Sequence, residues 1–104
     1  MSSDRRPFND EHVKDATARK AYTITWARFL APGETITAVA WTVEGPDAVL
    51  TIGTGAYAPT NTTQTATVWL LAGTAGVTYK VHCDVTLSTG QLDRRSLSIE
   101  VAHL

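Results

Sequence analysis

Residues 77–87 read VTYKVHCDVTL: Val77, Tyr79, Val81, Cys83, Val85 and Leu87 are apolar, and Thr78, Lys80, His82, Asp84 and Thr86 are polar. Side chains of a strand alternate between its two faces, so one face of this segment belongs to a core and the other to solvent. The flanks agree with a sheet. Upstream, TATVWLL (65–71) alternates in the same way and reaches residue 77 through the tight connection Ala72-Gly73-Thr74-Ala75-Gly76. Downstream, Ser88-Thr89-Gly90-Gln91 supplies a hairpin-type turn into LDRRSLSIEV, with Leu97, Ile99 and Val101 on one side and Ser96, Ser98 and Glu100 on the other.

Further toward the N-terminus, KAYTITW (20–26) alternates through Tyr22, Ile24 and Trp26. Pro32-Gly33 marks a turn in ARFLAPGET, where Phe29 and Leu30 tuck back onto the end of the core. TITAVAWTV (35–43) places Val39, Trp41 and Val43 on one face, Gly45-Pro46-Asp47 ends it, and AVLTIG (48–53) predicts a short strand. TGAYAPTNTTQ (54–64) reads as a loop with at most a short edge strand. Six to seven short strands with no intervening helical pattern predict an all-β, immunoglobulin-like or fibronectin-III-like antiparallel β-sandwich. Parallel βαβ architecture is excluded, and a closed barrel suits the uneven strand spacing and the long 54–64 loop less well.

Residues 1–19, MSSDRRPFNDEHVKDATAR, hold neither period 2 nor an apolar helical stripe, with Phe8 and Val13 scattered among polar side chains. They are expected to be an extended N-terminal arm ahead of one sandwich domain spanning 20–104. Two readings of the arm stand: a floppy terminus, or a tether that orders against a neighbouring subunit with Phe8 as its anchor.

A chain of 104 residues supports one core, and 43% apolar with 18% charged residues is a folding composition. The abundance of Thr, Val and Ile favours sheet over helix. A net charge of −1 gives no general attraction to phosphate backbones or anionic membranes, so neither a nucleic-acid nor a membrane partner is expected. Cys83 is the only cysteine, which excludes an intrachain disulfide and zinc sites built on paired cysteines. With no signal-like segment and no apolar run near the roughly 20 residues of a membrane span, synthesis in a reducing cytoplasm is expected.

Catalysis finds no constellation. His12 lies in the arm, His103 is penultimate, and His82 points away from its neighbour Cys83 by strand alternation. His82 and Asp84 share a face but lack further ligands, and Lys80 beside them opposes a cation. No catalytic, metal or cofactor residue and no small-molecule substrate is therefore expected. Arg94-Arg95 is a basic pair suited to DNA or an acidic partner or, better, with Asp93 before it and no aromatic platform beside it, to a salt bridge with a neighbour. Asn61-Thr62-Thr63 matches a glycosylation pattern without meaning in a chain lacking a secretion signal. Trp26 and Trp41 are read as core. Core packing is an open reading for Trp69 as well, but it shares its side with Thr65 and Thr67, opposite Ala66, Val68 and Leu70, and is the tryptophan best placed to face out as an interface anchor. Tyr79, following Gly76, resembles the corner tyrosine of immunoglobulin-like domains, whose hydroxyl bonds back to the preceding connection. The interface candidates are Phe8, Val13, Trp69, Arg94 and Arg95.

The landmarks YTITWARFLAPGETITAVAWTV, TATVWLLAGTAGVTYKV and DRRSLSIEV, together spanning about residues 22–101, resemble the phage fibre-tail adaptor proteins. The matching positions are Trp26, Leu30, Gly33, Glu34, Ile36, Trp41, Ala66, Thr67, Val68, Trp69, Gly73, Gly76, Tyr79, Arg95 and Ser96; Thr25 stands where family members often carry an acid. The resemblance implies an immunoglobulin-like structural protein of a tailed bacteriophage virion, made in the host bacterial cytoplasm. Its expected role is a tail/fibre adaptor in a homo-oligomeric ring or junction, touching tail, neck, fibre or capsid proteins. The alternatives are a capsid decoration (cement) protein and a glycan-binding module using Trp69 and the 54–64 loop.

Overall fold

The computed structural model of the chain describes residues 10–104. In chain order its strands are β1 (Asp10–Asp15), β2 (Arg19–Thr25), β3 (Ile36–Glu44), β4 (Thr51–Ile52), β5 (Thr60–Asn61), β6 (Thr65–Leu71), β7 (Thr78–Leu87) and β8 (Leu92–Ala102). Short 3₁₀ turns occupy Ala27–Phe29 and Gly55–Tyr57. One sheet runs β1-β8-β7-β3; the second runs β2-β6-β4, with β5 also on β6.

β7 organises the first sheet as its alternation predicts. Val81 pairs with Leu97 of β8 and Val43 of β3, and Val85 pairs with Val39, so inward residues line up across three strands. Tyr22, Ile24 and Trp26 from one side of the second sheet, with Ala66, Val68 and Leu70 from β6, close the core from above. Val68, Leu70, Val81, Ile99 and Val101 have no exposed surface, and each such aliphatic side chain contributes roughly 1.5–3 kcal/mol by leaving water. No helix among the described residues is long and apolar enough to cross a membrane.

The described residues hold eight strands, against six to seven expected, and β1 and β5 account for the difference. β1 lies within the segment read as an arm. It pairs in parallel with β8, from Asp10 opposite Leu97 to Asp15 opposite Ala102, the one parallel pairing among the described residues. Its inward side chains are His12, tilted against Tyr22 at 4.9 Å between ring centroids, and Lys14, which is 1% exposed. Polar residues at inward positions erase the period-2 signal that marks other strands. Lys14 is satisfied by two carbonyls, donating to Ala72 O at 2.6 Å and Asp15 O at 2.9 Å. Ala72 adopts a left-handed φ of 65°, an uncommon conformation for alanine. Phe8 lies outside the described residues.

The expected 48–53 strand is reduced to Thr51–Ile52. At the opposite end of that segment, Tyr79 fastens two turns. Its hydroxyl accepts the Thr74 N–H at 3.0 Å and donates to Asp47 Oδ1 at 2.5 Å, while the Thr74 hydroxyl donates to Asp47 Oδ2 at 2.9 Å. Gly45 is needed beneath the ring, since a Cβ there would sit 2.5 Å from Tyr79 Cδ2. The bond from Tyr79 back to the 72–76 connection is the one its position after Gly76 predicts.

Candidate functional site

β6 carries Ala66, Val68 and Leu70 inward and Trp69 outward, half-buried on the exposed face of the second sheet. Trp69 lies opposite Ala21 of β2, whose small side chain leaves the indole uncovered on that side. On the other side the chain folds over it. Gly53 donates its N–H to Trp69 O at 2.8 Å, and the 3₁₀ turn Gly55–Tyr57 then brings Tyr57 onto the indole edge, with centroids 5.0 Å apart and planes at 71°. A side chain at position 53 is impossible without rearrangement, because its Cβ would lie 2.4 Å from Tyr57 O.

Arg19, at the start of β2, completes the arrangement. Its guanidinium stands 3.8 Å from the Tyr57 ring centroid, and Nη2 donates to the Tyr57 hydroxyl at 3.0 Å. Arg19, Tyr57 and Trp69 thus form a continuous cation–aromatic stack beside an open cleft of about 690 Å³ that Thr17 and Leu71 help to line. Around it the face is small and polar, with Thr23 and Thr67 sharing a 2.8 Å hydroxyl hydrogen bond. Alternation marked Trp69 as the tryptophan best placed to face out. Arg19 and Tyr57 were not, because they reach the indole from a strand end and from a loop; the Gly53 and Gly55 pair ahead of Tyr57 was the available signal.

The other candidates separate. Val13 is 53% exposed on the outer face of β1, opposite Glu100. Arg94 pairs with Asp84 through Nε–Oδ1 at 2.5 Å and Nη2–Oδ2 at 3.0 Å, an intrachain salt bridge across β7 and β8. This bond holds the Asp84 carboxyl below its ordinary pKa and raises that of Arg94. Arg95 is at odds with its expected place at the surface. It continues the inward row of Leu97, Ile99 and Val101, is 7% exposed, donates Nη1 to Thr25 O at 3.0 Å and lies 5.0 Å from the Phe29 ring centroid. Strand alternation sends the two neighbouring arginines to opposite faces.

His82 uses both ring nitrogens within its own sheet, Nε2 with Glu44 Oε1 at 2.8 Å and Nδ1 with Ser96 Oγ at 2.7 Å. Cys83 faces the core, where burial pushes its thiol up to about 11, so it does not supply a thiolate nucleophile. Among the described residues no group of three or more His, Cys, Asp and Glu side chains is placed to hold a metal ion. What the outer face offers is an aromatic and cationic surface.

The sequence profile of the podophage GP4 fiber-tail adaptor protein gp77 matches residues 14–100. The chain belongs to this fiber-tail adaptor family. The matched span runs from Lys14 in β1 to Glu100 in β8, and so includes Arg19, Tyr57, Trp69 and Arg94. No curated protein matches the chain. Membership in the fiber-tail adaptor family makes it a structural component of the phage virion that works by contact with other tail proteins.

Proposed function

We propose that this chain is a homo-oligomeric adaptor at the junction of tail and fibre, and that it docks onto a neighbouring tail protein through the Arg19–Tyr57–Trp69 face. The observation that carries this reading is the stack itself. Trp, Tyr and Arg dominate the energetics of protein interfaces because they combine large contact area with donors at the rim. Here Gly53 and the 55–57 turn set Tyr57 against Trp69 in advance, which lowers the ordering cost of binding.

In this reading the two sheets are an immunoglobulin-like scaffold. The protein is made in the host bacterial cytoplasm and acts only in the particle. Trp69→Ala tests the docking face: the variant is expected to fold, shown by an unchanged far-UV spectrum, and to be depleted from purified virions. Normal incorporation of the folded variant would contradict the assignment. A glycan-binding role would have to use the same cleft, and a glycan array separates the two.

A further inference from the structure

β3 is paired with β7 on one side, and among the described residues no strand lies on its other side. The β7–β8 hairpin determines which of its backbone groups are open. Leu87 donates its N–H to Gln91 O at 2.8 Å, so Leu87 and every second residue back along β7 face β8, while Thr86, Asp84, His82 and Lys80 face β3. Their partners Ala38, Ala40, Thr42 and Glu44 commit their N–H and C=O groups to β7, and those of Val39, Trp41 and Val43 point away from the sheet.

The same three residues form the inward row of β3. They are only half-buried, since the second sheet approaches this rim with the two-residue strands β4 and β5. Soluble proteins blunt open edges with Lys, Pro, bulges or short length. β3 is nine residues long, contains neither Lys nor Pro, and confines its bulge to Ile36/Ala38.

The other two long edges do not fit it. Ala16 donates its N–H to Ala102 O and Trp26 to Gln64 O, so the open groups belong to Glu11, Val13 and Asp15 on β1 and to Arg19, Ala21, Thr23 and Thr25 on β2, all with outward side chains. Run antiparallel, either edge meets the open groups of β3 only by setting an outward row against an inward one. Run parallel, it carries Lys14 or Lys20 into the apolar row. A second β3 meets neither obstacle. We infer that two copies of the chain pair through β3, antiparallel about a two-fold axis at Trp41, so that the two β1-β8-β7-β3 sheets become one.

In this register Val39 lies opposite Val43 of the other copy, Trp41 opposite Trp41, and Val43 opposite Val39. Each pair exchanges both N–H···O=C bonds and shares the inward face, where aromatic and β-branched cross-strand pairs reinforce the ladder. A slip of one residue opposes open groups to bonded ones and inward side chains to outward ones. A slip of two sends Val39 opposite Gly45, beyond the strand, or Val43 opposite Thr37, in the bulge. The seam is uncharged, because Glu44, the single charge on β3, stands at opposite ends in the two copies and faces Ala38. One edge serves both copies, so the contact is isologous and closes at two. It supplies a contact for the homo-oligomer proposed above and rests on that part of the reading alone, not on the docking face.

Ala40→Cys and Thr42→Cys, purified as separate full-length variants, test the register. Both positions are exposed, Cys83 is buried, and opposed residues between the hydrogen-bonded pairs stand roughly 4.5 Å apart at Cα, within disulfide reach. An equal mixture is expected to give a disulfide-linked dimer under oxidising conditions. Neither variant alone should do so efficiently, because position 40 meets position 42 and like positions lie roughly 7–8 Å apart on the diagonal. In sedimentation the unaltered chain is expected as a dimer. Trp41→Lys, which sets two ammonium groups across the axis, should keep its far-UV spectrum and weaken association by roughly tenfold or more. Trp69→Ala, on the other sheet, should leave the dimer intact, so the pairing and the docking face fail separately. An unaltered chain that stays monomeric, a mixture without the linked dimer, linkage of either variant alone as complete as in the mixture, or multimers beyond two would overturn the pairing.

Discussion

The Lys14 ammonium group donates to the carbonyl of Ala72 across 2.6 Å, tying the N-terminal strand to the turn between β6 and β7. Burial pushes the Lys14 amine below its ordinary pKa, and its two carbonyl acceptors compensate the lost hydration.

Lys14→Ala removes that donor from a nearly water-free position and leaves the carbonyls of Ala72 and Asp15 short of a partner. Loss of a buried charge-assisted hydrogen bond costs about 1–3 kcal/mol, which urea denaturation should register at constant m-value. Deleting residues 1–15 should lower the melting temperature by several degrees, because the β8 edge then loses its ladder and Lys14 together.

Tyr79→Phe keeps the ring but takes the acceptor from the Thr74 N–H and one donor from the Asp47 carboxylate, which keeps the Thr74 hydroxyl and the Val49 N–H. A destabilisation of about 1–2 kcal/mol is expected. Gly45→Ala drives a methyl group into the Tyr79 ring and should cost at least as much. Thermal unfolding of both variants checks this corner.

Gly53→Ala acts on the contact face instead. Its Cβ displaces the Tyr57 carbonyl, so the turn over Trp69 must open while the core beneath β6 stays intact. The expected outcome is a red-shifted Trp69 emission, read in a Trp26→Phe, Trp41→Phe background that first proves folded, together with reduced incorporation into particles.

Acid should unfold the domain in the carboxylate range. Hydrogen bonds from Thr17 and Leu104 hold Asp15 at about 2, and Tyr79, Thr89 and Arg94 hold Asp47, Glu34 and Asp84 below their ordinary values. A depressed folded-state pKa stabilises above the unfolded value and is lost as pH falls through the folded one. The melting temperature is therefore expected to be flat near neutrality and to fall between about pH 5 and pH 2. Asp47→Asn should make that fall shallower; an unchanged profile would show that Asp47 does not share in the effect.

How far the sequence led depends on whether a residue's role is local. β7 was readable because every inward position from Tyr79 to Leu87 is apolar, and the outward face of Trp69 followed from the same rule on β6. β1 was not, because His12 and Lys14 occupy its inward positions and Lys14 is satisfied by Ala72, 58 residues away. Arg95 was obscured by its neighbour: taken with Arg94 it looks like a basic patch, whereas counting back by two from Leu97 places it inside. The stack on Trp69 needs Arg19 and Tyr57 brought from distant segments, and no single-strand periodicity encodes such a meeting.

The central claim is that this domain sits at the tail–fibre junction with its Arg19–Tyr57–Trp69 face against another tail protein. Cryo-electron microscopy of the intact particle tests it most directly. The account predicts density for the eight-stranded domain at that junction with Trp69 buried in a protein contact. Density on the capsid surface, or a junction domain whose Trp69 face is open to solvent, would contradict it.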